Sequence, residues 1–268
     1  MKRKILAVTI LAVALLLGAC QSSAPAAENT TAKEASGLGE RTYIAGLDDT
    51  FMPMGFRDDK GELVGFDIDL AKEAAKRMGI TIDFLPIDWD VKEAELDAGN
   101  IDFIWNGFSI TPEREEKILF SKPYLDNRQI IVTLADSPVK TKADLAGKSV
   151  SVQGESSALE AVQKDTAFVE SLDGGALIEF PTNVECFKDL EATRSDAVVA
   201  DEVLARDYMK RNGEEKYRVL DEDFGEEEFA VGMRLSDTAL KEALDKALDD
   251  MKADGTYDTI KAKWLSEN

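Results

Sequence analysis

Between residues 41 and about 205, short apolar runs alternate with amphipathic helical patterns, and nothing narrows the fold of this 268-residue chain more. Such alternation calls for an α/β fold with mainly parallel sheets, because each crossover helix must cover a sheet face. Residues 43–47, 80–87 and 101–106 read as strands of a first group. Asp58-Asp59-Lys60-Gly61 reads as a turn. Asp67 reads as the cap of a helix that carries Leu70, Ala74 and Met78 on one face and closes at Gly79, with Phe66 in the core. A helix over 91–98 stops at Gly99. After Ile130 and Ile131 a second alternation begins, with helices over 141–146, 156–164, 183–193 and 202–211 and strands over 148–152, 176–180 and 197–200. A strand over 228–234 and helices over 237–264, interrupted at Gly255, complete the chain. It is longer than one ordinary core needs, and each alternation is the size of a small α/β lobe.

The densest chemistry lies in Trp105-Asn106-Gly107-Phe108-Ser109-Ile110-Thr111-Pro112-Glu113-Arg114. It follows the apolar run 101–104, which reads as a buried strand. Thr111 then Pro112 is an N-cap followed by Pro at the first helical position. A strand end with Gly107 for close backbone approach, the Ser109 hydroxyl and the Arg114 fork makes a place for a carboxylate. The chain has no histidine to do acid–base chemistry beside it. Ser156 and Ser157 open a helix after a strand, where N–H groups and hydroxyls also suit a carboxylate. Asp201 ends the strand 197–200, where a carboxylate emerges into a cleft. Taken singly, Arg114 also fits a surface charge, and Asp201, Ser156 and Ser157 also fit helix caps.

Together with Gly65-Phe66-Asp67-Ile68-Asp69-Leu70 upstream and Phe120-Ser121-Lys122-Pro123-Tyr124 downstream, this segment resembles the family 3 extracellular solute-binding proteins, the amino-acid-binding components of ABC importers. The resemblance covers about residues 41–268. It implies a two-lobed periplasmic-binding-protein type II fold, each lobe a mainly parallel sheet flanked by helices, with a hinge between the lobes. The implied division is 41–129 in lobe 1, 130–222 in lobe 2 and 223–268 returning to lobe 1, with crossings near 127–131 and 220–225. It further implies that Arg114, with Ser156 and Ser157, holds a ligand carboxylate and that Asp201 holds its ammonium. Side-chain recognition falls to Asp48, Phe51, Trp89 and Asn106, with Gln153 where some glutamine binders carry Lys. Phe51 and Trp89 then flank a slot. Asp48 and Asn106 with no nearby lysine argue against an acidic side chain, since an uncompensated buried carboxylate pair costs several kcal/mol.

The N-terminus reads as an export signal over residues 1–19. Lys2, Arg3 and Lys4 precede an apolar run over 5–17, short of the ~20 residues of a membrane span. Leu17-Gly18-Ala19-Cys20 resembles a lipobox, so Cys20 is expected to carry acyl chains of the palmitate type and anchor the protein to the cell membrane outside the cytoplasm. Residues 20–40 read as a disordered tether. Cys186, the other cysteine, reads as a small buried side chain. A net charge of -21 disfavours nucleic acid and anionic lipid, and the acidity reads as solvated helix faces rather than a metal site.

The expected function is therefore capture of a polar, non-acidic amino acid by lobe closure, followed by delivery to an ABC permease, by a monomer with no cofactor or metal. Two rival readings are a cleft enzyme of the same fold, of the cyclohexadienyl dehydratase kind with Glu155 as the available general acid, and a ligand-sensing module.

Overall fold

A computed structural model of the protein describes residues 38–265. The expected leader, the Cys20 anchor and most of the tether lie outside the described residues. Among the described residues, no helix is long and apolar enough to cross a membrane.

The chain opens with β1 (Thr42–Leu47), followed by a small antiparallel sheet of β2 (Thr50–Phe51), β3 (Gly55–Arg57) and β4 (Leu63–Val64). Helix α1 (Phe66–Met78) buries Leu70, Ala74 and Met78 and closes on the left-handed Gly79. Next come β5 (Thr81–Pro86), α2 (Lys92–Asp97), β6 (Phe103–Ser109), the single turn α3 (Pro112–Glu115) and β7 (Ile118–Phe120). The second alternation runs through β8 (Leu125–Leu134), β9 (Val150–Gln153), α4 (Ser157–Lys164), α5 (Thr166–Ser171), β10 (Ile178–Phe180), α6 (Asn183–Glu191), β11 (Ala197–Asp201) and α7 (Glu202–Asn212). The 18-residue β12 (Tyr217–Arg234) leads to α8 (Thr238–Ala253) and α9 (Thr256–Trp264).

The main strands form one sheet in the order β10-β9-β11-β8-β12-β6-β1-β5, with β7 on β12. Its two ends are parallel, β5 and β6 on β1, β10 and β11 on β9. Its middle is antiparallel, because β8 and β12 run through both halves and pair with each other and with the inner strand of each. The β8–β12 register slips between Val219 and Asp223 and again between Asp223 and Glu226, so the long ladder is interrupted where one half passes into the other.

Three apolar clusters follow from this layout. Trp89, Leu96, Ile101, Ile104 and Phe108 fill one face of the first half, and Val150, Val152, Leu159, Phe168 and Val199 fill one face of the second. The largest cluster runs from Phe66 and Phe103 through Tyr124 and Phe229 to Cys186 and Phe187. Cys186 is buried there, and burial raises its thiol pKa.

Several expectations are corrected. Asp67 does not cap α1: Gly65 holds that position without a side-chain bond, and Asp67 is buried inside the first turn. Strand β6 continues through Ser109, so Gly107 and Ser109 lie within the sheet rather than after it. Strand β12 begins at Tyr217 rather than 228, although its Asp221–Glu228 stretch is too polar to read as a strand. The β2–β4 sheet and α5 carry no periodicity long enough to stand out in the sequence.

Candidate functional site between the sheet halves

Strand ends from both halves meet at the middle of the sheet, and their polar side chains bond across the gap. Arg114 is 3% exposed, which excludes the surface-charge reading. Thr111 caps its short helix by accepting from the Arg114 N–H, and Pro112 stands at the first helical position, as expected. The guanidinium lies over the Phe108 ring, 4.6 Å from its centroid. Its Nη1 donates to the Ser109 carbonyl at 3.1 Å. Its Nη2 pairs with Glu160 of α4 at 2.9 Å and reaches the Glu155 carbonyl at 3.4 Å, while the buried Nε has no hydrogen-bond partner among the described residues.

Asp201 is 5% exposed and makes no cap bond to α7. Its Oδ1 accepts from the amides of Asn127 at 2.6 Å and Gln129 at 2.8 Å, both on β8. Burial, and then the charge of Glu227, push its pKa up to about 7. The cap reading of Asp201 is thus excluded by where its side chain points. Ser156 does act as a cap: its hydroxyl accepts from the Leu159 N–H and donates to the Gln153 carbonyl. The Ser157 hydroxyl instead donates to Ser109 Oγ at 3.0 Å, joining the two halves of the sheet.

Asp48 follows β1 and is 7% exposed. Its Oδ1 accepts from the Thr50 N–H and hydroxyl, and its Oδ2 accepts from Gln153 Nε2 at 3.0 Å across the gap. Burial raises its pKa, and these donors oppose the shift. Gln153 is itself held by the Pro181 carbonyl and by Asn183 Nδ2. Asn106 accepts from the Asp48 N–H, so it supports the Asp48 turn, and its buried Nδ2 has no hydrogen-bond partner among the described residues. Phe51 lies against Gly107, where a Cβ would come within 2.9 Å of the Phe51 ring. Gly107 also has φ of 56°, a backbone state that leaves little choice of residue. Trp89 is buried edge-on against Phe108, with Lys92 Nζ 5.0 Å from its ring centroid.

Four residues that sequence reasoning missed complete the arrangement. Asp67 accepts from the Gly107 N–H at 2.7 Å and the Tyr124 hydroxyl at 3.0 Å, and burial pushes its pKa up to about 7. Lys92 is buried and donates to the Trp89 carbonyl and, across the gap, to the Glu155 carbonyl at 2.7 Å. Burial, and then Arg114, lower its pKa to about 8. Asn127 and Gln129 hold Asp201. Only their spacing along β8 hinted at a shared face. The Glu155 side chain is exposed, and its role in this arrangement is carried by its backbone carbonyl. Among the described residues no acidic, cysteine or histidine cluster is arranged to hold a metal ion.

Residues 43–267 match the family model for bacterial extracellular solute-binding proteins, family 3. The L-cystine-binding protein TcyJ of Escherichia coli strain K12 is 31% identical over 226 residues, 84% of this chain and 82% of the relative. The lysine/arginine/ornithine-binding periplasmic protein of the same strain is 32% identical over 268 residues, 97% of each. Among solved structures, a histidine-bound ABC uptake transporter substrate-binding protein from Streptococcus pneumoniae has a TM-score of 0.83 at 36% identity, covering 89% of this chain and 96% of that one. An ancestral amino-acid-binding protein described as a precursor of cyclohexadienyl dehydratase has a TM-score of 0.76 at 33% identity, covering 84% and 96%. The chain belongs to the family 3 extracellular solute-binding proteins and has their two-lobed type II periplasmic-binding-protein fold.

Proposed function

We propose that this family 3 solute-binding protein captures a free polar, non-acidic amino acid outside the cytoplasm by lobe closure and delivers it to an ABC permease. The observation that carries the reading is the presence of two buried ionisable side chains of opposite type, Arg114 on α3 just after β6 and Asp201 at the end of β11. Their charges complement the two ends of an amino acid. Ser109 and Ser157, bonded to each other across the gap, give that pair a common polar floor. Hinge closure in periplasmic binding proteins is a named instance of domain closure. It is supported here by the bonds Asp48–Gln153 and Lys92–Glu155, which join the lobes directly.

In this reading Arg114, Gly107, Ser109, Ser156 and Ser157 serve the carboxylate, and Asp201 serves the ammonium. Asp48, Phe51, Trp89, Asn106 and Gln153 face the side chain. The lobe division at 41–129, 130–222 and 223–268 is part of the proposal, supported by β8 and β12 being the strands common to both halves. So are the lipid anchor at Cys20, supported by its lipobox-like context, and the monomeric state.

The binding reading is favoured over a dehydratase because the Glu155 carboxylate is exposed rather than aimed at a substrate. A thermal-shift screen of the twenty amino acids tests the function, since a ligand at 100 times its dissociation constant adds ~2.7 kcal/mol. A neutral or basic amino acid should raise the midpoint. Turnover of a prephenate-like compound, with no amino acid bound, would favour the enzyme instead.

A further inference from the structure

Strands β12, β8 and β11 gather hydrogen-bond acceptors on one face. Glu227 is the cross-strand partner of Asn127, and Asp201 is that of Gln129. Directly opposed residues of antiparallel strands share a face, and so do residues two apart on one strand. The four side chains therefore stand together over the middle of the sheet. Asn127 donates its amide N–H to Asp201, and Gln129 donates to Asp201 and, at 3.3 Å, to the Ser157 hydroxyl, which turns both amide oxygens elsewhere. Asn127 Oδ1, Gln129 Oε1 and Glu227 Oε2 are all buried and have no hydrogen-bond partner among the described residues. Asn127 is 7% exposed and Gln129 0%, and buried polar atoms of this kind are ordinarily satisfied. Asn127 and Glu227 open onto a cavity of about 660 Å³.

Resting on the reading that Asp201 receives the ligand's ammonium, we propose that Glu227 is a second carboxylate of that subsite, selecting a fully protonated amine head and coupling its capture to release of a proton. Acceptors without donors call for a group rich in N–H, and a primary ammonium has three N–H donors and nothing to accept with. A neutral hydroxyl or amide head would leave two carboxylates facing each other.

The charges around Glu227 leave it the task. On β8 its neighbours are Asp126 and Arg128, on α7 Glu202, and on its own strand Glu226 and Glu228. Arg128 is already held by Glu202 at 2.6 Å and by Asp223 at 3.4 Å. On the α4 side it shares the lining of a second cavity with Glu160, which is paired with Arg114, and Lys164, which is paired with Glu113 at 3.2 Å. The cations that face Glu227 are thus committed to other carboxylates. In this structure burial and the Glu227 charge push the Asp201 pKa up to about 7, so Asp201 holds a proton through the weakly acidic range. An entering ammonium keeps its own three protons and displaces that one to solvent. Affinity then falls as pH drops below about 7.

The twenty standard amino acids are screened first, and the tightest binder is carried into calorimetry at pH 6, 7 and 8 in buffers of differing ionisation enthalpy. Wild-type protein should release roughly half a proton at pH 7, the fraction held by a group titrating there. Glu227→Gln should release almost none. At pH 8 it should bind about tenfold more weakly, near 1.4 kcal/mol, and at pH 6 the difference should shrink below about threefold. Glu227→Asp keeps the charge and should keep the proton release, which separates lost charge from a disturbed strand. Glu228→Gln, exposed on the same strand, should change neither reading. If Glu227→Gln matches wild type in proton count and in affinity at pH 8 while Asp201→Ala abolishes binding, the role of Glu227 is refuted and the ammonium reading stands. If Asp201→Ala also binds normally, or no amino acid binds wild type, both fall together.

Discussion

Arg114 and Asp201 show what a single residue can and cannot announce. A charge near a strand end was legible in the sequence, and both side chains turn out buried. In the proposed reading, removing either leaves a ligand charge without its partner in a dry site, at a cost of roughly 3–5 kcal/mol. Arg114→Ala and Asp201→Ala should each lower affinity by at least about 100-fold in calorimetry while the far-ultraviolet spectrum is retained. Arg114→Lys, which keeps the charge but loses the fork, should recover only part of it. Asp67 was misread because sequence position suggested a cap, whereas its role depends on Gly107 and Tyr124, 40 and 57 residues away. Its folded pKa of about 7 lies above the ~3.9 of an unfolded Asp, so the folded state binds more protons between those values. Stability must then fall as pH rises from about 4 to 7, with Asp201 adding a parallel fall. Asp67→Asn should flatten part of that slope in thermal melts at pH 5, 6 and 7.5. An unchanged slope would mean that Asp67 is ionised in the folded protein throughout.

At the scale of elements, what the sequence declared was periodicity, and what it concealed was pairing. Helix α1 announces itself through Leu70, Ala74 and Met78, whereas the polar Asp221–Glu228 stretch of β12 becomes a strand because β8 supplies its partner. The turn before α4 carries a strain that only backbone angles reveal, since Glu155 has φ of 48°. A left-handed non-glycine residue costs about 1–2 kcal/mol, against roughly 0.5–1 kcal/mol for the extra freedom of glycine. Glu155→Gly should therefore raise the melting temperature slightly, by no more than about 1 kcal/mol of stability. The strained turn presents its carbonyl to Lys92 of α2, one of several contacts that join the two halves. Lys92→Met fills similar space without the bond. Its affinity for the bound amino acid should drop about tenfold, in line with ~1.5 kcal/mol for a hydrogen bond to a charged group. Equal affinity in wild type and Lys92→Met would place that contact outside the closure.

Over the whole molecule, the alternation of strands and helices specified two α/β units but not that one sheet runs through both. That continuity arises from β8 and β12, whose long shared ladder is broken at Asp223 and Glu226. A ladder interrupted there can flex without separating the halves, because the missing bonds are the ones a bend would have to break. Gly225 lies inside the interruption with φ of 107°, and none of the described residues stands within 4 Å of where its Cβ would be. Alanine at this position therefore meets no neighbour but cannot easily hold the observed backbone angle, a conflict worth about 1 kcal/mol or more. Gly225→Ala should bias the hinge away from the closed arrangement in which Asp48 meets Gln153 and Lys92 meets Glu155. Small-angle scattering should show the wild-type radius of gyration shrinking when a saturating amino acid is added, since closure brings the lobes together. The variant should need at least several-fold more ligand to reach the same compact state, because its closed form carries the added strain. A variant that closes at the wild-type ligand concentration would move the pivot away from Gly225 and toward the Val219–Asp223 slip on the same strand.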